Sequence, residues 1–166
     1  MKKLFSKKKT AMTDKIQVYS PIDGKCVPLE QVKDPVFSDG SMGYGCAIIP
    51  SSNEIYSPIS GKIASIFPTN HAIGIVGDNG EELLLHVGVN TVELEGVGFI
   101  PYVKRNEHVE MGTLLLKIDL ELIKQKGYDP DVILILLNSN RYEQIEVVPK
   151  MTKRGEALFP LKLKTQ

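Results

Sequence analysis

The chain has 166 residues, of which 42% are apolar and 24% charged, so its size and composition fit one folded domain. Its 20 basic and 20 acidic residues balance, but five lysines lie within residues 1–10, which leaves the remainder with 15 bases against 20 acids. An acidic body excludes nucleic-acid phosphates as the main ligand, and the longest apolar run, VILILL at 132–137, is far short of the roughly 20 residues of a membrane span.

The first 15 residues are interpreted as a flexible lysine-rich tail, and residues 16–166 as a single domain. The tail lacks the apolar stretch of a secretory signal, so we expect a cytoplasmic protein. A solvated tail is the favoured interpretation, and weak contact with an anionic membrane is the alternative. The two cysteines, Cys26 and Cys46, form no CxxC pair, so we expect buried free thiols.

Short apolar segments separated by glycine- and proline-rich turns predict an all-β fold, an antiparallel β-sandwich or flattened barrel. One short accessory helix is expected at 120–126 (LELIKQK), with Asp119 as its N-cap and Gly127 after its last residue. The predicted strands cover residues 16–19, 24–28, 45–50, 54–56, 61–66, 72–76, 82–87, 99–103, 114–119, 132–138, 144–148 and 158–164.

Two of the three histidines stand out from their surroundings. His86 interrupts an apolar strand, LLLHVGV, and His71 begins the preceding strand after the turn-like FPTN. His108 lies in the polar stretch NEHVEMG and is expected at the surface.

The Asn79-Gly80 pair between these two strands is typical of a two-residue type I′ hairpin turn. That turn would pair positions whose numbers sum to 159, placing His71 opposite Gly88 and Ile73 opposite His86. The two histidines would then lie on one face as diagonal neighbours, roughly 7–8 Å apart. A three-residue loop with a bulge would shift the register by one and put them on opposite faces.

Two adjacent imidazoles suit more than one kind of chemistry. One neutral imidazole can accept a phosphoryl group while the other stabilises the charge of the transition state. Histidine nitrogens also bind zinc. The third interpretation is two unrelated histidines, and spacing alone leaves all three open.

The histidine segments closely resemble the glucose-type IIA component of the bacterial phosphoenolpyruvate:sugar phosphotransferase system. They are PTNHAIGI at 68–75, GEELLLHVGVNTVEL at 80–94 and EGVGF at 95–99. The resemblance runs from about residue 18 to residue 163 and includes VKDPVFSDGSMGYGCAIIP at 32–50. It implies an antiparallel β-sandwich that relays a phosphoryl group from the phosphocarrier HPr to a cysteine of a sugar-specific IIB domain, with no cofactor required.

The resemblance also implies roles for individual residues. His86 is the phosphoryl acceptor through Nε2, His71 orients the phosphoryl group, and Thr69 positions His71. The carbonyl of Gly88 is expected to hold Nδ1 of His86. Zinc is expected only as a bridge between His71 and His86 when a partner supplies a carboxylate.

A shallow cleft with an apolar rim is implied for docking several partners in turn. Its candidate partner-binding residues are Asp34, Val36, Phe37, Met42, Phe67, Ile73 and Asn90. For each apolar residue in this set, the alternative interpretation is that it belongs to the hydrophobic core.

Asn90 departs from the family pattern, because the usual HxGIDTV is HVGVNTV here. The amide removes a negative charge beside the phosphoryl group but keeps hydrogen-bonding ability, so the transfer equilibrium or the choice of partner would change. Any role of the family's acid is therefore in doubt here, whereas Asp34 matches a second acid near the family's site.

Other classes of protein fit less well. A zinc peptidase of the lysostaphin type needs an HxH motif, and Leu84 occupies its first position. A lipoyl- or biotinyl-carrier needs a modified lysine at a hairpin tip, which is missing from the segment at 106–119. A regulatory binding protein that senses phosphorylation state without efficient onward transfer is the main alternative, with transporters or metabolic enzymes as its partners.

Overall fold

The computed structural model describes residues 15–165, so the predicted tail at 1–15 lies almost wholly outside the described residues. The described range contains thirteen strands and two short α-helices. The strands are β1 (Lys15–Tyr19), β2 (Gly24–Pro28), β3 (Tyr44–Pro50), β4 (Glu54–Tyr56), β5 (Gly61–Ile66), β6 (Ala72–Gly77), β7 (Glu82–Val87), β8 (Phe99–Pro101), β9 (His108–Val109), β10 (Leu114–Ile118), β11 (Val132–Leu136), β12 (Lys150–Thr152) and β13 (Ala157–Lys162). The helices are α1 (Pro35–Ser38) and α2 (Leu120–Gln125).

The strands form three antiparallel sheets. The largest has eight strands in the order β12-β2-β3-β11-β7-β6-β5-β9, and β4-β10-β8 and β1-β13 form two smaller sheets. The predicted antiparallel sandwich is confirmed. The barrel alternative is wrong, because β12 and β9 are free edges in the described part of the chain and the large sheet does not close on itself.

The main core lies between the eight-stranded sheet and the two smaller sheets. Strand alternation sends Leu83, Leu85 and Val87 of β7 into it, together with large aliphatic side chains of every neighbouring strand. Burial of this much apolar surface is the dominant stabilising term of the fold.

The opposite face of the same sheet carries a smaller cluster. Ladder pairing aligns Val27, Ala47, Ile133, His86 and Ala72 in one row across five strands. The segment at 29–42, which includes α1, covers this row with side chains that belong to the same cluster. The two alanines of this row, Ala47 and Ala72, have small side chains and so leave room for that segment to approach the sheet.

Most predicted elements are confirmed with ends shifted by one or two residues. The predicted strand at 144–148 is wrong, because Ile145 and Val147 pack against the core without joining a ladder. The two- and three-residue strands β9 and β12 and the four-residue helix α1 are too short for periodicity to show them. The helix α2 has the predicted N-cap, since Asp119 Oδ1 accepts the N–H of Leu122 at 3.1 Å.

Neither helix found within residues 15–165 has the length and apolar character needed to cross a membrane.

Candidate active site

His86 lies near the end of β7, on the face that carries the smaller cluster. Its ladder partners are Ala72 of β6 and Ile133 of β11. The side chain is half-buried, and its Nδ1 is enclosed without a hydrogen-bond partner among the described residues. Nε2 is not enclosed in this way, so it is the nitrogen that an incoming group can reach.

His71 lies in the loop between β5 and β6, just before the first ladder residue. The loop begins with a turn in which the N–H of Asn70 bonds to the carbonyl of Phe67 at 2.7 Å. Asn70 has a φ of 61°, a left-handed conformation that asparagine tolerates better than most residues. The turn brings Thr69 Oγ1 to 2.6 Å from His71 Nδ1, and this hydrogen bond fixes the orientation of a ring that is 3% exposed.

The predicted hairpin register is wrong by one residue, yet the two rings meet. The N–H of Gly77 bonds to the carbonyl of Glu81, so the turn contains three residues, 78–80. Paired positions sum to 158, as in Ala72 opposite His86 and Ile73 opposite Leu85. The rings of His71 and His86 nevertheless lie 4.8 Å apart, edge to face at 86°. Their contact arises because His71 lies outside the ladder, where the turn rather than strand alternation sets the direction of its side chain.

The segment at 29–42 completes the wall of the site. The Phe37 ring packs 4.8 Å from the His86 ring, and this buried contact shields one side of the imidazole. Asp34 caps α1 by accepting the N–H of Val36 at 3.0 Å, which fixes the helix over the sheet.

Both imidazoles are held in the neutral form. Burial lowers the pKa of His71. Burial and, secondly, the nearby His71 lower the pKa of His86 to about 4, against smaller raising effects of the Gly88 backbone and the Asp34 carboxylate. A neutral imidazole near pH 7 keeps a free lone pair, which a nucleophile requires.

Gly88 occupies a position that only glycine fills without strain. Its φ is +81°, and a Cβ there would lie 2.4 Å from Thr91 Cγ2 and 2.9 Å from the carbonyl oxygen of Asp129. The Gly88 backbone is near enough to raise the pKa of His86, but His86 Nδ1 has no hydrogen bond of ordinary distance and angle. The expected bond to the Gly88 carbonyl is thus a close approach and not a formed bond.

The predicted partner-binding residues divide into surface and core. Val36 and Phe67 are 55% and 40% exposed, and Met42 is half-buried at the edge of the smaller cluster. The Phe67 ring lies 5.5 Å from the His71 ring, and Val36 directly precedes Phe37, whose ring contacts His86.

Ile73 is 1% exposed in the main core and Phe37 is 4% exposed in the smaller cluster, so the placement of these two residues on the docking surface is wrong. For Ile73 the reason is the register, which turns it away from His86. Phe37 is buried because its ring packs against that of His86.

Asn90 lies two residues beyond Gly88, on the exposed rim of the site. Its φ of 63° is left-handed, a conformation in which asparagine and aspartate are both favoured. The side chain makes no capping bond to the 3-10 turn at Thr91–Leu94, so it remains available to a partner.

The remaining predicted features lie away from the histidine pair. His108 is exposed, and its Nε2 contacts Asp78 Oδ1 at 3.0 Å. Cys26 and Cys46 are buried free thiols, as predicted. Residues 15–165 hold no group of three or more His, Cys, Asp or Glu side chains placed to bind a metal ion.

Sequence reasoning missed the small residues that make space for the site and the segment whose backbone bonds to Gly88 and Val89. Ala47 and Ala72 lie in the same row as His86, and their signal was the alternation of small and large residues in CAIIP and AIGIV. Asp129 and Asp131 precede β11, and no sequence signal connects them with residues more than forty positions earlier.

The family model of the phosphoenolpyruvate-dependent sugar phosphotransferase system, EIIA 1, matches residues 16–142. A glucose-specific EIIA component of Staphylococcus epidermidis is 40% identical over 88% of this chain and 87% of its own. A solved structure, glucose permease IIA from Mycoplasma capricolum, superposes with a TM-score of 0.81 at 35% identity, covering 89% of this chain and 96% of that one.

Larger proteins contain the same unit. A raffinose carrier protein of Pediococcus pentosaceus is 42% identical over 86% of this chain, and a beta-glucoside-specific EIIBCA component of Halalkalibacterium halodurans is 37% identical over 92%. This chain spans 22% and 24% of the lengths of those two relatives.

Proposed function

Because the chain belongs to the EIIA 1 family of the phosphoenolpyruvate-dependent sugar phosphotransferase system, whose members carry phosphoryl groups during sugar uptake, we propose that His86 is the residue that carries the group. The observation that supports this most is the edge-to-face contact of two neutral imidazoles with Nε2 of His86 accessible. His71 is then the residue that orients the transferred group.

The donor is the phosphohistidine of HPr, and the acceptor is a cysteine of a IIB domain. Relatives named as EIIBCA and EIICBA components join this unit to B and C units in one chain, which supports a IIB partner. The exposed Val36 and Phe67 beside the histidines suit partners that dock in turn, because small apolar patches form transient interfaces. A reaction with these partners is proposed to take place in the cytoplasm.

The transfer step balances without loss of a proton from His86. Its Nε2 lone pair forms a bond to phosphorus while the phosphorus–nitrogen bond of the donor imidazole breaks, and Nδ1 keeps its hydrogen. In the onward step the cysteine thiolate of the IIB domain forms a sulfur–phosphorus bond and the bond to Nε2 breaks. His86 returns to its neutral form.

Thr69 decides which nitrogen of His71 carries the proton. When the Thr69 hydroxyl donates to Nδ1, the proton of His71 lies on Nε2. That N–H can donate to a phosphoryl oxygen on His86 and stabilise the negative charge of the loose transition state. The edge-to-face geometry of the rings fits this arrangement.

Zinc is at most an accessory of a complex. His71 and His86 would supply two of the four ligands of a tetrahedral ion, and the partner's carboxylate would have to complete the set. No step of the transfer passes through a metal.

Reconstitution tests the proposal directly. The protein is incubated with phosphoenolpyruvate, enzyme I and HPr, and intact mass is recorded before and after acid treatment, for wild type and for His86→Ala, His71→Ala and the control His108→Ala. We expect an acid-labile phosphoryl group on wild type and on His108→Ala, and none on His86→Ala. His71→Ala should accept the group but pass it on slowly to a IIB domain.

Two outcomes would contradict this assignment. A label retained in His86→Ala would move the acceptor to another residue. An unlabelled wild type in a mixture where HPr is phosphorylated would leave a regulatory binding protein as the function.

A further inference from the structure

Four aromatic rings contact one another in succession across the site. The Phe37 ring lies 4.8 Å from the His86 ring, which lies 4.8 Å from the His71 ring. The Phe67 ring lies 5.5 Å from the His71 ring. The two imidazoles are thus the inner members of the series, with one phenyl ring packed against each. Phe67 is 40% exposed and His71 is 3% exposed, so the Phe67 ring separates His71 from solvent on its side.

The position of Phe67 follows from the sheet. Phe67 directly follows β5, and its N–H donates to the carbonyl of Ala72 at 3.0 Å. This bond continues the β5–β6 ladder by one residue, so Phe67 lies opposite Ala72. Because Ala72 is also the ladder partner of His86, Phe67 and His86 lie in one row on the same face of the sheet. The small side chain of Ala72 leaves space between them, and the His71 ring contacts both.

Two hydrogen bonds hold His71, and neither fixes the plane of its ring. The carbonyl of His71 accepts the N–H of Val87 at 2.8 Å, which fixes the backbone against β7. Thr69 Oγ1 lies 2.6 Å from Nδ1, which fixes one ring nitrogen. The ring can still rotate together with the Thr69 side chain, and water can compete for the hydroxyl. The Phe67 ring, at 82° to the imidazole, blocks both on its side.

We propose that Phe67 is a positioning residue for phosphoryl transfer, whose ring holds the His71 imidazole against His86 and keeps water from the bond between Thr69 and His71. This inference rests on the proposed function of His86. It gives Phe67 a role in the transfer step itself, in addition to any contact with a docked partner. The effect acts through His71 and requires no contact between Phe67 and the phosphoryl group.

The main test separates the transfer step from partner binding. Phosphorylated wild type and variants are mixed with increasing concentrations of a IIB domain, and rapid-quench kinetics give the maximal rate and the half-saturating concentration. Lost positioning lowers the maximal rate, whereas a lost partner contact raises the half-saturating concentration. The variants are Phe67→Ala, the conservative Phe67→Tyr and the control Val76→Ala, which alters a 41% exposed apolar residue near the other end of β6.

We expect Phe67→Ala to lower the maximal rate by about threefold to tenfold, the range that an edge-to-face ring contact contributes. Phe67→Tyr keeps the ring and should restore a rate close to that of wild type. Val76→Ala should match wild type in both quantities. A change in the half-saturating concentration alone in Phe67→Ala would make Phe67 a partner contact and would overturn the inference.

A double-mutant comparison tests whether Phe67 acts through His71. In a His71→Ala background, Phe67→Ala should lower the maximal rate no further, because the ring that Phe67 positions is already absent. A loss of the same size in both backgrounds would show that Phe67 acts independently of His71, which contradicts the inference.

Histidine NMR titration tests the same contact without any partner. Burial lowers the pKa of His71. The titratable group that faces it is His86, on which the Asp34 carboxylate acts from the cap of α1. Phe67→Ala exposes the imidazole, so the His71 pKa should rise toward its ordinary value near 6.5, whereas Phe67→Tyr and Val76→Ala should leave it unchanged. An unchanged His71 pKa in Phe67→Ala would overturn the inference by itself.

The outcomes also separate this inference from the proposed function. A wild type that accepts no phosphoryl group from phosphorylated HPr would overturn the proposed function. A labelled wild type whose Phe67→Ala variant transfers at the same maximal rate would overturn only the role of Phe67. Thermal unfolding of each variant confirms that the comparison is made between folded proteins.

Discussion

The two faces of the eight-stranded sheet are built from the same strands and serve opposite purposes. One face sends large aliphatic side chains into a sealed core, whereas the other combines alanine and glycine with His86 and is covered by a single segment. In β7 the two faces alternate residue by residue, with Leu85 on one side and His86 on the other. The face that forms the main core supplies the free energy of folding. The face that carries His86 is therefore free to hold a half-buried nucleophile.

The sharpest test of this division compares substitutions of the adjacent residues Leu85 and His86. Leu85→Ala should lower the free energy of unfolding by about 2–5 kcal/mol, because it opens a cavity in the sealed core, yet its folded fraction should still accept a phosphoryl group. His86→Ala should change unfolding far less and abolish acceptance. Urea denaturation and intact mass measure the two properties, and a Leu85→Ala protein that is folded but unlabelled would contradict the division.

The next largest effect is expected at the junction behind the histidine. Gly88→Ala should cost about 1–3 kcal/mol of stability and slow transfer, because its Cβ would collide with Thr91 and the Asp129 backbone. Gly127→Ala is a matched control, since its φ of +85° is similar but no described atom lies within 4 Å of the added Cβ. Equal losses of stability in the two variants would show that the left-handed backbone conformation alone, without close packing, explains the requirement for glycine at position 88.

Acid should first destabilise the face of the sheet that carries His86. The pKa of His86 is lowered to about 4 from an unfolded value near 6.5, so its contribution to stability is complete above about pH 6.5 and is lost as the pH falls through 4. Phe37→Ala should move the His86 pKa upward by removing the ring that buries it. Histidine NMR titration measures this shift, and an unchanged pKa in Phe37→Ala would show that burial by Phe37 is not its cause.

The smallest effect is expected from the hydroxyl that orients His71. Thr69→Val should lower stability by about 1 kcal/mol and slow onward transfer by about tenfold, because the proton of His71 is no longer fixed on Nε2. Thr69→Ser keeps the hydroxyl and should remain close to wild type. Rapid-quench kinetics of transfer to a IIB domain would distinguish them, and similar rates for Thr69→Val and wild type would remove Thr69 from the mechanism.

Local patterns were enough to predict most of the strands, and the resemblance to a known family supplied the expected chemistry of the site, but neither gave the pairing between the strands. The alternation in LLLHV places His86 on a strand, and Asn79-Gly80 marks the hairpin correctly. The loop is the three-residue alternative that the sequence left open, with Gly80 in a left-handed conformation at a φ of +93°. The buried Glu81 carboxyl group accepts the N–H of Asn79 at 3.1 Å and packs against Gly77, a tertiary contact that the Asn-Gly signal does not contain.

The same limit explains the errors in the site. Ile73 and Phe67 were equal candidates for the docking surface, and the one-residue register decides between them. The backbone bonds from Gly88 and Val89 to the carbonyls of Asp131 and Asp129 could not be predicted, because they depend on pairing between β11 and β7, which connects residues far apart in the chain. Contacts of this kind become visible only after the strands are placed.

The pairing of β1 with β13 has a consequence for how the unit is carried in larger proteins. Lys15 lies opposite Lys162, so both ends of the described fold leave the same small sheet, across the main core from His86. A host chain can therefore receive this unit by insertion or by end-to-end fusion without stretching it, as its presence in relatives four times longer suggests. A circular permutant that joins these ends and opens the loop at 78–80 should keep both imidazoles in contact.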